Sequence, residues 1–213
     1  MKPFFMIFVS ALFFMCSNSK KQDVQITQKT AKTFEEKLSA AAISVIDKDV
    51  VYTPSYVKIK YPNGDVPAKT GVCTDVVIRT YRKLGIDLQK IVHEDMKSNF
   101  SKYPKTWGLK TTDTNIDHRR VPNLETFFTR KGTKLTVTDN PDDYKTGEIV
   151  TWMIADKLPH IGIITHKKST DGKRPMLVHN VGSGQVLEDC LFDYKIVGYK
   201  EESVQFLYSF HFY

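Results

Sequence analysis

Hydrophobic periodicity changes character once along this chain, close to Gly132, and that switch constrains the fold more than any other feature of the sequence. Before it, apolar residues recur at helical spacing. Phe34, Leu38, Ala41 and Val45 predict an amphipathic helix over residues 32–47. A second helix is expected over 73–85, with Cys73, Val77, Tyr81 and Leu84 on one face and Gly85 closing it. A third fits Asp87 to Phe100, with Leu88, Ile91, Val92 and Met96 inward and His93 and Glu94 on the outer side. A short fourth helix, Asn123 to Arg130, ends at Gly132. After it the period becomes that of strands: Lys134–Thr138, Glu148–Ile154, His160–His166, Met176–Val181 and Ile196–Lys200, punctuated by Gly147, Gly172 and Gly182 to Gly184. Helices first and neighbouring strands after predict an α+β domain, an antiparallel sheet backed by helices. Two stretches stand apart. Tyr56 to Tyr61 alternates into Pro62-Asn63-Gly64-Asp65, a hairpin signal, and residues 101–122 show no period at all.

The first residues read as an export signal. Lys2 precedes the apolar run Phe4–Val9 and Ala11–Met15, which stops at Cys16 and is too short to span a bilayer. Residues 1–16 are therefore expected to be a signal peptide, 17–30 a polar tether and 31–213 a single domain. Cys16 occupies the place of the lipidated cysteine in a bacterial lipoprotein signal, so the protein is expected in the periplasm or anchored by lipid to an envelope membrane; simple cleavage nearby is the alternative. The net charge of +7 is scattered, and no nucleic-acid-binding module is evident. Oligomeric state stays open. With Cys16 in the leader, Cys73 and Cys190 remain, and an oxidising compartment permits them to pair.

The chemistry-bearing candidates begin with Gly71-Val72-Cys73-Thr74-Asp75. A cysteine in the first turn of a helix faces unpaired N–H groups and the positive end of the macrodipole, both of which favour the reactive thiolate. Its own N–H can also serve a developing oxyanion. Asp75 is a residue type favoured in a first turn. The base such a nucleophile needs is expected to be His160, at the start of a strand, with Gly162 on the same face clearing a path for the cysteine-bearing helix. His166 lies six residues further along and is not equivalent. His179 on the next strand, or Asn180 if the register slips, is the group expected to orient the base. Asp117, His118, Arg119 and Arg120 are candidates for the substrate pocket, since Arg grips a carboxylate bidentately; a loop clamped by its own salt bridges is the competing reading.

Cys73-Thr74-Asp75-Val76-Val77, Gly147-Glu148-Ile149-Val150, His160-Ile161-Gly162-Ile163 and Val178-His179 resemble, in order and spacing, the NlpC-type papain-like cell-wall peptidases. Gly71 to Arg79 and Asn115 to Leu124 resemble more closely the bacterial family catalogued as domain of unknown function 1287. The resemblance implies a papain-like fold with the nucleophile at a helix N-terminus. It also implies a cysteine peptidase or amidase acting on peptidoglycan or wall-derived peptides through Cys73, His160 and His179, with no cofactor and no metal. Two other readings compete. One is a non-catalytic envelope lipoprotein that binds the wall with the same fold. The other is a metal-dependent hydrolase using Asp113, Asp117, His118, His160 or His179, against which stands the lack of HExxH or CxxC spacing.

Overall fold

The structure is a computed structural model and describes residues 32–201. The signal peptide, Cys16 and the tether expected over 1–30 lie outside the described residues. Among those residues, no helix is long and apolar enough to cross a membrane.

Among the described residues, four α-helices form where the apolar spacing places them. Helix α1, Phe34–Ser44, begins at Thr33, whose side chain accepts from the Glu36 N–H while Glu36 reaches back to Thr33, a reciprocal cap. Helix α2, Cys73–Lys83, has Val72 at its N-cap, so the capping acceptor comes from within: the Asp75 carboxylate takes the Val72 N–H at 2.7 Å. Gly85 at φ 78° lets the chain leave that helix. Helix α3, Leu88–Ser98, is capped by Asp87. Helix α4, Val121–Lys131, starts two residues before the sequence expectation, because Pro122 fits a first turn where no N–H is required.

The strands are β1 (Val51–Tyr52), β2 (Thr70–Gly71), β3 (Thr133–Lys134), β4 (Ile149–Ile154), β5 (Leu158–Lys168), β6 (Pro175–His179), β7 (Val186–Glu188) and β8 (Lys195–Glu201). β1 and β2 pair in parallel beside the start of α2. The rest form one sheet in the order β3-β8-β4-β5-β6-β7, with every neighbouring pair antiparallel. The α+β architecture expected from the sequence is present. Strand alternation divides its side chains between two apolar layers. Ile149, Ile161, Ile163 and Val178 pack with Leu38, Val77, Tyr81, Leu124 and Phe127 from the helices. On the opposite face Val150, Trp152, Ile164 and Leu177 pack with Tyr144, Cys190, Leu191 and Tyr199.

Three local expectations are corrected. Residues 53–66 form no hairpin, because their polar groups bond to side chains far along the chain: Asn115 accepts the Ile59 N–H, Gln89 the Gly64 N–H, and Asp113 the Tyr56 hydroxyl. That segment and residues 113–119 cover the outer side of α3, so His93 bonds Asp117 at 2.9 Å and stands edge-on to Tyr61 instead of facing water. The strand expected over 134–138 shrinks to Thr133–Lys134, since Thr138, Asn140 and Asp143 tie the following chain into a turn.

One buried ion pair locks α2 to this covering loop. Arg119 Nε and Nη2 donate to the two Asp75 carboxylate oxygens at 2.9 and 3.0 Å, both side chains being 2% exposed. Removing one partner strands a charge in the interior, which costs about 3–5 kcal/mol. Asp75→Asn is expected to lose about that much stability in urea denaturation, whereas an Asp75→Leu/Arg119→Met double variant recovers part of it, the Val72 N–H being left without its acceptor.

Candidate functional site

Cys73 sits at the first position of α2, as the helix-start reading requires, on the buried stripe of that helix. The residue is 4% exposed. Burial pushes its thiol up to about 12, against the opposing pull of the N–H groups of Ile161, Thr74 and Cys73 itself, with Asp75 adding to the rise. The expected helix-start activation is thus outweighed by desolvation, and at neutral pH the resting group is the thiol.

The histidines come together on β5 and β6. In this antiparallel pair Ile163 faces Val178, which brings His160 and His179 into reach. His160 Nε2 lies 2.8 Å from His179 Nδ1, with the rings near perpendicular. His179 Nε2 lies 2.8 Å from a Glu188 carboxylate oxygen and 3.4 Å from the Cys190 sulfur. Trp152, opposite His160 on β4, backs both rings and donates its indole N–H to the Leu191 carbonyl. Burial, aided by His179, depresses His160 to about 3. Burial also lowers His179, against the pull of Glu188. Of the two candidates for the orienting group, His179 bonds the His160 ring, while Asn180 is turned to the Gly182 N–H. His166 is held by Ser39 of α1.

Gly162 has a different reason from the one expected. A Cβ there would lie 3.1 Å from the Trp152 ring and 3.2 Å from the His179 Cβ. Its bare side admits those two residues, not α2. His160 shares that side, and Ile161 packs toward the helices. The Cys73 sulfur therefore meets the strand at the Ile161 N–H, one residue from His160, with no hydrogen bond from sulfur to imidazole. Cys73 and Cys190 are free thiols in separate apolar layers, so the disulfide left open by the sequence is not formed.

Glu188 escaped sequence reasoning because β7 is three residues long, too short for a period to show. The available signal was the Gly182–Gly184 turn after β6. A hairpin there pairs His179 with Val186 and Leu177 with Glu188, putting Glu188 diagonal to His179 on one face.

Above Cys73 lies a cleft of about 150 Å³ bordered by Tyr52, Trp107, Arg119, Arg120 and Pro159. Of the four loop residues expected at a pocket, Arg119 and Arg120 border it; Asp117 and His118 do not. Arg119 is committed to Asp75. Arg120 stacks over Trp107 at 4.6 Å and its Nη1 has no hydrogen-bond partner. Asp117 is turned inward to His93 and the Asp113 N–H. His118 is 1% exposed with Nδ1 unpartnered, and burial, followed by the charges of Arg119, Arg82 and His93, lowers it to about 3, opposed by Asp113. A histidine with a folded pKa of about 3 and an ordinary value of 6.5 binds its proton in the unfolded chain first, so its share of stability is complete above 6.5 and is lost as pH falls toward 3. His118→Phe is expected to flatten the decline of unfolding free energy over that interval, measured by urea titrations at a series of pH values.

The chain matches the family described as Domain of unknown function (DUF1287) over residues 39–200. It is also 49% identical over 154 residues to "Uncharacterized protein YijF" of Escherichia coli (strain K12), an alignment covering 72% of this chain and 75% of that protein. The family match holds Cys73, His160, His179, Glu188 and the Asp117–Arg120 loop, and over that length this chain belongs to the DUF1287 family.

Proposed function

We propose that this protein is an exported cysteine hydrolase of amide bonds, with a papain-like, NlpC-type arrangement, that acts on peptidoglycan peptides. The observation that carries the reading is the relay Glu188–His179–His160, which ends one residue from the N–H that meets the Cys73 sulfur. A carboxylate only accepts hydrogen bonds, so Glu188 holds the proton of His179 on Nε2. His179 Nδ1 must then accept, and His160 donates from its own Nε2. A neutral imidazole has one proton, so His160 Nδ1 is left with a lone pair, as a base requires.

In this reading the thiol and the imidazole are both neutral until an acyl group enters the cleft. Cys73 then passes its proton to His160 Nδ1 as the sulfur adds to the amide carbonyl, and the Cys73 N–H at the start of α2 steadies the oxyanion. The imidazolium, held by His179 and Glu188, returns the proton to the departing amine, and water cleaves the thioester. The gap between ring and sulfur closes during this step, since catalytic hydrogen bonds in unliganded enzymes are often long. Arg120, at the border of the cleft and braced on Trp107, suits a free carboxylate such as a wall stem peptide carries.

The deciding measurement is release of cleaved muropeptides by the purified protein. Wild type is expected to release them and Cys73→Ala to fall to background; equal release by both would overturn the proposal. Glu188→Ala is expected to lower kcat by about 10-fold or more with little change in KM, because it frees the relay to adopt the tautomer in which His160 cannot act as base. Steady-state kinetics on a single muropeptide separates the two constants.

A further inference from the structure

The far end of the relay has a feature the hydrolytic reading does not use: a buried free thiol, Cys190, pointing at the same His179 nitrogen as Glu188. His179 Nε2, Glu188 Oε2 and Cys190 Sγ all lie within 4.8 Å of one another. We propose that these three atoms form a binding site for a divalent transition metal of the zinc type, and that the bound metal shuts off His160 by reversing the proton relay.

The ligand set and spacing support a metal of this kind. Imidazole, thiolate and carboxylate together suit Zn²⁺ and Co²⁺, whereas Mg²⁺ and Ca²⁺ prefer oxygen alone. Bonds of about 2.0 Å to nitrogen and about 2.3 Å to sulfur give a tetrahedral N···S edge of about 3.5 Å. The observed Nε2 to Sγ distance is 3.4 Å. The Nε2 to Oε2 distance of 2.8 Å must widen by about half an ångström to match tetrahedral bonding. Glu188 has room for that, being 42% exposed, and its open side leaves the fourth position to solvent. Behind the ligand, His160 bonds the other nitrogen of His179, the outer-shell contact that orients a metal-bound imidazole.

The consequence for the relay follows from counting protons. Metal binding displaces the Cys190 thiol proton to solvent and forms the metal–sulfur bond. His179 gives its Nε2 lone pair to the metal, so its one proton moves to Nδ1. His179 now donates to His160 Nε2, and the His160 proton must lie on Nδ1. The lone pair that would accept the Cys73 proton is gone, with no group lost and no ring displaced.

The shut-off rests on the hydrolase reading; the binding site does not. The untagged full chain titrated with Co²⁺ is expected to show one equivalent bound, with a thiolate-to-cobalt charge-transfer band that Zn²⁺ abolishes. The band should persist in Cys73→Ala, vanish in Cys190→Ala and weaken in Glu188→Ala. No band in the wild type, or a band lost with Cys73 and kept without Cys190, would overturn the site. Muropeptide release with and without one equivalent of Zn²⁺ reads the shut-off: a drop of 10-fold or more in the wild type and a ratio near one in Cys190→Ala support it, and equal ratios overturn it. A protein that binds Co²⁺ through Cys190 but cleaves no muropeptide would refute the hydrolase reading and its shut-off while leaving the metal site standing.

Discussion

The buried pair of Asp75 and Arg119 is the contact on which the cleft depends. Asp75 does two jobs with one carboxylate: it takes the Val72 N–H at the start of α2, and it holds the Arg119 guanidinium. Arg119 in turn reaches the carbonyls of Thr53 and Ser55, and its own carbonyl accepts from Thr74. Three separate stretches of chain, 53–55, 72–75 and the 113–119 loop, are thereby brought together beside Cys73. The arrangement also explains why a charged tripeptide such as Asp117-His118-Arg119 is buried. Asp117 bonds His93 and Arg119 pairs with Asp75, partners distant in sequence, while His118 is buried in its neutral form with Nδ1 unpartnered.

The sheet separates Cys73, the proposed nucleophile, from the histidine pair. Its helix-facing side carries Ile161 and Ile163, which seat α2, and its other side carries His160, His179 and Trp152. At the beginning of β5, past the end of β6, the Ile161 N–H reaches the sulfur. Desolvation on both sides raises the thiol to about 12 and depresses the His160 imidazole to about 3, so neither ionises alone. In the proposed hydrolysis a proton transferred between them creates opposite charges that stabilise each other in a low-dielectric setting, and entry of a substrate alters both environments at once.

Much of this was legible in the sequence because it rests on local rules. The helices follow from the spacing of Leu38, Val77, Tyr81, Ile91 and Leu124 and from the stops at Gly85 and Gly132. The meeting of His160 and His179 follows from period-two alternation on two adjacent strands. What was not legible rests on partners distant in sequence. Asn115 and Gln89 replace the hairpin that the alternation of Tyr56 to Tyr61 predicts. Gly162 looked like clearance for a helix and is clearance for Trp152, a cross-strand neighbour on the concealed face. Glu188 belongs to a strand too short to show a pattern, and its role appears only once the register with Leu177 is known.

The relay also explains why its end matters as much as its beginning. Two neutral imidazoles in series hold two protons between them, and each ring can offer only one lone pair. The identity of the group at His179 Nε2 therefore decides the state of His160 Nδ1 at the other end, without any movement of the backbone. An acceptor at that position makes His160 a base, and an electron-pair acceptor makes it a donor. Glu188 is half-exposed and Cys190 buried, so the first contact is open to solvent and the second is sheltered behind it. Under the proposed hydrolase reading, two hydrogen bonds of 2.8 Å link the chemistry at Cys73 to whatever occupies a position on the opposite face of the sheet.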